Sequence, residues 1–312
     1  MLMKRKLFIV ASVIFVLLFV LFPDISSKGA ENGLLLWFNI IIPSLCPFMI
    51  ISTMLIKLDV TSFISNMFYP VLHKVSGISK NGCYPAITGM LSGYPLGAKT
   101  VADMYKTGAF SKSEAQYIIS FCNNASPMFM LEYTGIKCLG LKQPAIMLVI
   151  IYMSAFINAF FERNRLEYVT NNNTGAGIIR RKYPLIEALD ESIISSAITL
   201  VKVGGYIILF SILTELFKNM VTSNEIIKIA GAGILEITTG CEVLAGTTLP
   251  LYIKCILAST FCAFGGMSSV AQTSSTLIGT GLSNRKYIFA KSRQAVIAAV
   301  LSAVIFKFIL HE

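Results

Sequence analysis

Long runs of apolar side chains, each about 17 to 25 residues and nearly free of charge, recur along the sequence, and a helix of that length spans the roughly 30 Å hydrocarbon core of a bilayer. Lipid offers backbone N–H and C=O groups no partner, so only helices or closed barrels persist there. Runs this long predict helices. The composition agrees, with 55% hydrophobic and only 13% charged residues, where an ordinary soluble domain carries roughly 25% charged. The expected fold class is an all-α polytopic membrane protein.

The formal charge is +10, but the basic residues are dispersed between apolar spans and form no single face. They therefore argue topology and not a nucleic-acid partner, because Lys and Arg accumulate in cytoplasmic loops. Lys4, Arg5 and Lys6 precede the first apolar run, and no small-x-small cleavage site follows it. Residues 1–32 thus read as an uncleaved first span over the first 22 residues, with a cytoplasmic amino terminus, and an outer loop at 23–32. A second span at 33–57 returns inward to a loop bearing Lys57, His73, Lys74 and Lys80. After a span at 143–161 comes the most basic stretch, with Arg163, Arg165, Arg180, Arg181 and Lys182. Residues 162–196 are accordingly expected to form a cytoplasmic linker between membrane repeats at 33–161 and 197–312. The segment SNRKYIFAKSR, 283–293, then puts Arg285, Lys286, Lys291 and Arg293 on a cytoplasmic loop and the carboxyl terminus outside.

Within these spans, helix-breaking residues fall at mid-depth. SGYPLGA, 92–98, lies inside the apolar stretch 83–104, which is expected to dip into the membrane and return. Residues 114–133 should cross, yet carry Asn123, Asn124, Ser126 and Pro127 near their middle. Proline lacks an amide hydrogen and glycine restrains the chain little, so a broken helix exposes backbone groups that only protein or a water-filled cavity can satisfy. The second half repeats the layout: a span at 197–217, a broken segment at 226–246 with glycines in its middle, a stretch at 249–279 interrupted at FCAFGGMSS, and a last span at 287–308. By the charge assignment the halves cross in opposite directions, which predicts two inverted repeats, each with a re-entrant helical hairpin and a broken transmembrane helix. Secondary transporters build central sites this way.

Glu236, in GILEITTG, is an ionisable group inside such a segment. It is expected to serve an ion or proton site, or to cap a half-helix, or to pair with Lys202. Glu132, Glu215 and Glu242 fall nearer segment ends and read as interfacial. Lys99 suits an anionic ligand, or snorkels to the surface. The adjacent amides of FCNNASP are costly in lipid without partners and favour ligand contact.

In combination, SGYPLGAKTVADM, FCNNASPMF, GILEITTG and FGGMSSVAQTSS resemble the YlbJ family of sporulation integral membrane proteins, across roughly residues 33–308. The resemblance implies a nucleoside-recognition or Gate domain, a fold found also in spore maturation proteins, in the membrane part of ferrous iron transport protein B and in concentrative nucleoside transporters. It implies a multi-pass protein of the bacterial plasma membrane needed for mature spores, with transport of a small polar, nucleoside-like solute inferred from the fold. The substrate-binding positions it implies are Ser92, Gly93, Tyr94, Pro95, Gly97, Asn123, Asn124, Ser126, Glu236, Thr238, Thr239, Ser268, Ser269 and Gln272. Partners expected are membrane lipid and the solute, with homo-oligomers or other spore membrane proteins left open.

Enzymatic readings find little support. His73 and His311 are the two histidines, and no dinucleotide or phosphate-loop motif accompanies GAGILE; no cofactor is expected. The seven cysteines, in or beside apolar segments without a CxxC pair, read as small hydrophobes. Two further functions stay open: a non-transporting membrane scaffold needed for spore formation, and a metal-ion permease using Cys46, Cys122 or Cys262 as soft ligands.

Overall fold

A computed structural model describes residues 13–58, 60–163, 183–221 and 224–309. Among these the chain is helical, without a strand. Five stretches are long and apolar enough to cross a membrane: Pro23–Lys57, Ala145–Arg163, Leu185–Met220, Leu251–Thr276 and Asn284–Ile309. The basic amino terminus at Lys4, Arg5 and Lys6, most of the expected linker (164–182) and the carboxyl terminus (310–312) lie outside the described residues.

Helix α1 covers residues 13–21, and α2 (Pro23–Leu36) runs through a π-helical turn (Trp37–Ile41) into α3 (Ile42–Lys57). The expected outer loop at 23–32 is therefore helix. Proline at the first helical position loses no hydrogen bond, and Ser26, Gly29, Gly33 and Leu36 form a buried stripe along one face. That stripe packs on α9 (Leu185–Met220). A Cβ at Gly29 would come within 2.8 Å of the Ile212 Cα, and one at Gly33 within 2.8 Å of the Ile208 Cα, so the two backbones nearly touch. The glycine pair is consumed within the chain. Further along, the Trp37 ring lies over Gly204 and its Nε1 donates to the Leu200 carbonyl at 2.9 Å.

The loop expected to carry His73 and Lys74 is mostly helix α4 (Thr61–Ser76), with Ser65, Leu72 and Ser76 on its buried face. A helical hairpin follows, α5 (Lys80–Ser92) and α6 (Leu96–Lys106). Next comes a crossing element in two pieces, α7 (Lys112–Cys122) and a π-helix (Phe129–Cys138), and then α8 (Ala145–Arg163). Beyond the linker, α9 begins at Leu185, so residues 185–196 are helical and not linker coil. A second hairpin, α10 (Glu225–Leu235) and α11 (Ile237–Ala245), precedes a second broken crossing, α12 (Leu251–Phe264) and α13 (Gly266–Thr276). Helix α14 (Asn284–Ile309) packs against α7, α8 and α12. The loop expected at 283–293 is thus largely the start of α14, with Lys291 wholly buried and Arg293 paired to Glu162 at 2.7 Å.

Candidate functional site

Both hairpins close glycine on glycine. A Cβ on Gly89 would lie 2.9 Å from the Gly97 Cα, and one on Gly240 would lie 2.4 Å from the Gly233 Cα. Any side chain there would force the arms apart. At the first tip Gly93 adopts φ +85°, a left-handed conformation that glycine takes without steric cost, and the Tyr94–Pro95 peptide is cis. The second tip is a single residue. Glu236 is extended (φ −146°, ψ 123°), ending α10 and capping α11, and its carboxylate accepts from the Thr239 N–H at 2.7 Å. The break falls there and not at the glycines expected to make it, because Gly231 and Gly233 stay within α10 as contact points for the Phe217 and Phe261 rings. Lys202 is not its partner.

The two crossing elements break differently. Residues Asn123–Ser126 leave the helix, and Ser126 Oγ restarts it by accepting from the Phe129 N–H at 3.2 Å. In the second crossing Gly265 (φ +88°) and Gly266 (φ +75°) turn the chain. All four interruptions meet. A Cβ on Gly93 would strike the Ser126 nitrogen at 2.6 Å, one on Gly265 the Tyr94 ring at 2.6 Å, and one on Gly266 would sit 3.2 Å from the Ile237 nitrogen. Tyr94 Oη donates to the Cys262 carbonyl at 3.0 Å, supplying a partner to a carbonyl in the last turn of α12, where the helix no longer does.

These contacts surround a cavity of about 330 Å³. Of the implied residues, Gly93, Tyr94, Ser126, Glu236, Thr238, Ser268, Ser269 and Gln272 line it. Ser92, Gly97 and Thr239 do not, and Pro95 borders a second cavity of about 200 Å³ together with Lys99.

Asn123 and Asn124 are brought to the same region but face away from the cavity, with no exposed surface. Their hydrogen-bonding capacity is used by the protein. Asn123 donates to Thr273 Oγ1 at 2.9 Å and Tyr287 Oη at 2.8 Å, and its Oδ1 accepts from the Ala98 N–H at 3.3 Å. Asn124 Oδ1 accepts from Lys291 Nζ at 3.0 Å and Gln294 Nε2 at 2.8 Å. Lys291 also donates to the Asn123 carbonyl at 3.1 Å and Gln294 Oε1 at 2.7 Å, 5.4 Å from the centre of the Tyr94 ring. A buried ammonium held by neutral oxygens pins α14 to the break after α7.

Sequence reasoning missed Lys291, Tyr287 and Gln294. The signal available was Lys291 itself, five positions after Lys286 and separated from it by the apolar run Tyr287–Ala290 at the start of the last span. It also ranked Glu132 as interfacial, whereas Glu132 and Lys137 on the π-helix line the cavity. Glu242 accepts from Tyr133 Oη at 2.8 Å, and Glu215 is buried against Lys218 at 2.7 Å. The seven cysteines are free. Cys46, Cys122 and Cys262 belong to three separate packing clusters, and among the described residues no group of three or more His, Cys, Asp or Glu side chains could hold a metal ion.

No family model matches the chain, and no solved structure does. Among curated proteins, sporulation integral membrane protein YlbJ of Bacillus subtilis (strain 168) is 26% identical over 91% of this chain and 78% of its own length. That similarity runs through both hairpins and both broken crossings. The chain is a multi-pass integral membrane protein similar to YlbJ along most of its length.

Proposed function

We propose that the chain is a plasma-membrane permease of sporulating bacteria, moving a small solute through the bilayer by exposing one central cavity alternately to each side. The single observation that carries this reading is the meeting of four chain interruptions around a cavity of about 330 Å³, within the range of about 300–1,000 Å³ typical of small-ligand sites. Unwound backbone at membrane depth is otherwise a liability. The spore role is taken from the printed name of the relative.

Apart from α4, which the first half inserts after its long helix, the two halves share an order of elements: a long helix of 35 residues (Pro23–Lys57) or 36 residues (Leu185–Met220), a helical hairpin, a broken crossing and a final span. We read them as inverted repeats with a cytoplasmic amino terminus, one half rocking against the other. The aromatic walls, with Phe129 and Tyr133 stacked at 5.1 Å, suit a flat apolar body of nucleoside size. Ser269, Gln272 and Glu236 supply hydrogen bonds at its edge.

Filling the cavity separates this function from a scaffold role. Ser126→Phe and Ala125→Phe, expressed in the native host at wild-type membrane levels, are expected to abolish the spore phenotype. Full spore yield with the cavity blocked would leave the scaffold as the working function.

A further inference from the structure

The second cavity, of about 200 Å³, lies between α6, α9 and α13, and it shares two lining side chains with the larger one, Val203 on α9 and Gln272 on α13. The two cavities reach the surface at opposite ends of the first broken crossing. That crossing starts just beyond Lys106, passes through the break at residues 123–126 and ends at Cys138. Lys106, exposed at the end of α6, stands on the rim of the second cavity. Glu132 and Lys137, exposed on the π-helix past the break, stand on the rim of the larger one. A path joining the two cavities therefore follows the whole crossing, and it is interrupted at Val203 and Gln272, which are 2% and 6% exposed.

The two side chains are mounted differently. Val203 is fixed, because a β-branched side chain has little rotamer freedom in a helix and the backbone around it is pinned. Its neighbour Gly204 lies against the Trp37 ring, and Trp37 Nε1 donates to the Leu200 carbonyl at 2.9 Å. Gln272 is held by one side-chain hydrogen bond, from its Nε2 to Ser268 Oγ at 3.1 Å. It rides on α13, a helix of 11 residues that starts at the left-handed pair Gly265 and Gly266 and is followed by two more left-handed glycines, Gly279 (φ +79°) and Gly281 (φ +69°). Chain rotation at such turns meets the least steric resistance.

We propose that Val203 and Gln272 form the gate of the permeation path: Val203 is a fixed apolar post, and Gln272 is the leaf that α13 carries aside to join the two cavities. This rests on the permease reading and adds to it the residues that keep its two sides apart. A narrow apolar constriction excludes water and ions by dewetting and needs no bulky plug.

The full chain is reconstituted in planar lipid bilayers with potassium chloride on both sides. The native chain is expected to be silent. Val203→Ala combined with Gln272→Ala, which truncates the shared wall, is expected to carry a steady ionic current at least about tenfold above the native chain. Ile207→Ala, which enlarges the larger cavity alone, should stay silent. No current from the double variant, or an equal current from Ile207→Ala, overturns the gate and leaves the cavity-blocking test to stand or fall by itself. Should the double variant not fold, thiol labelling in oriented membrane vesicles decides. Ser44→Cys in the larger cavity and Ser275→Cys in the second should react with a membrane-impermeant thiol reagent from opposite sides; reaction of both from one side, or of either from both, overturns the assignment.

Discussion

Lys291 illustrates how a single residue organises this chain. Its ammonium has no exposed surface and no acidic partner, and three oxygens within 3.1 Å take up its charge. Replacing it by Met, close in length and shape, removes the cost of burying a charge but strands the Asn123 carbonyl and loosens Asn124 and Gln294. A stranded buried acceptor costs about 1–3 kcal/mol, and breaking a buried charged network more. Lys291→Met is therefore expected to lower stability by about 2–4 kcal/mol in detergent unfolding; an unchanged transition would show that the network contributes little. The asparagines show where sequence reading stops at this scale. That adjacent amides in an apolar segment need partners was legible. Whether the partner is a solute or a lysine some 170 positions away is decided by tertiary packing, which no local pattern records.

Elements were legible to different degrees for the same reason. Hairpin tips and broken crossings announce themselves because glycine, proline and amides change what the local backbone can do, and SGYPLGA is a turn wherever it is placed. Helix α2 was hidden: PDISSKGAEN is polar, with a proline and a glycine among its ten residues, and it is helical because its small face meets α9. Two opposed substitutions test that cause. Gly33→Leu would drive a side chain into the Ile208 backbone 2.8 Å away, at a cost of several kcal/mol if α9 cannot shift, since overpacking alone costs about 1–3 kcal/mol. Ser211→Ala should be neutral or raise stability by up to about 1 kcal/mol, because the Ser211 hydroxyl is buried in the same seam with no hydrogen-bond partner. Tolerance of leucine at position 33 would mean the close approach of α2 and α9 is not what holds α2 helical.

At the scale of the whole molecule, the two halves have no common sequence beyond short fragments, yet each supplies one tip and one break to the same place. The first tip touches both breaks, through Gly93 with Ser126 and Tyr94 with Gly265, while Gly266 reaches the second tip at Ile237. An arrangement in which every interruption is braced by another gives the chain a single packed centre of unwound backbone. The measurement that tests this most directly is photo-crosslinking from position 94, with p-azidophenylalanine replacing Tyr94 in the full chain in membranes, followed by peptide mass spectrometry. Adducts on residues 258–269, at the break of the second crossing, are the expected result. Adducts confined to residues 80–126 or to lipid would contradict the convergence on which the account rests.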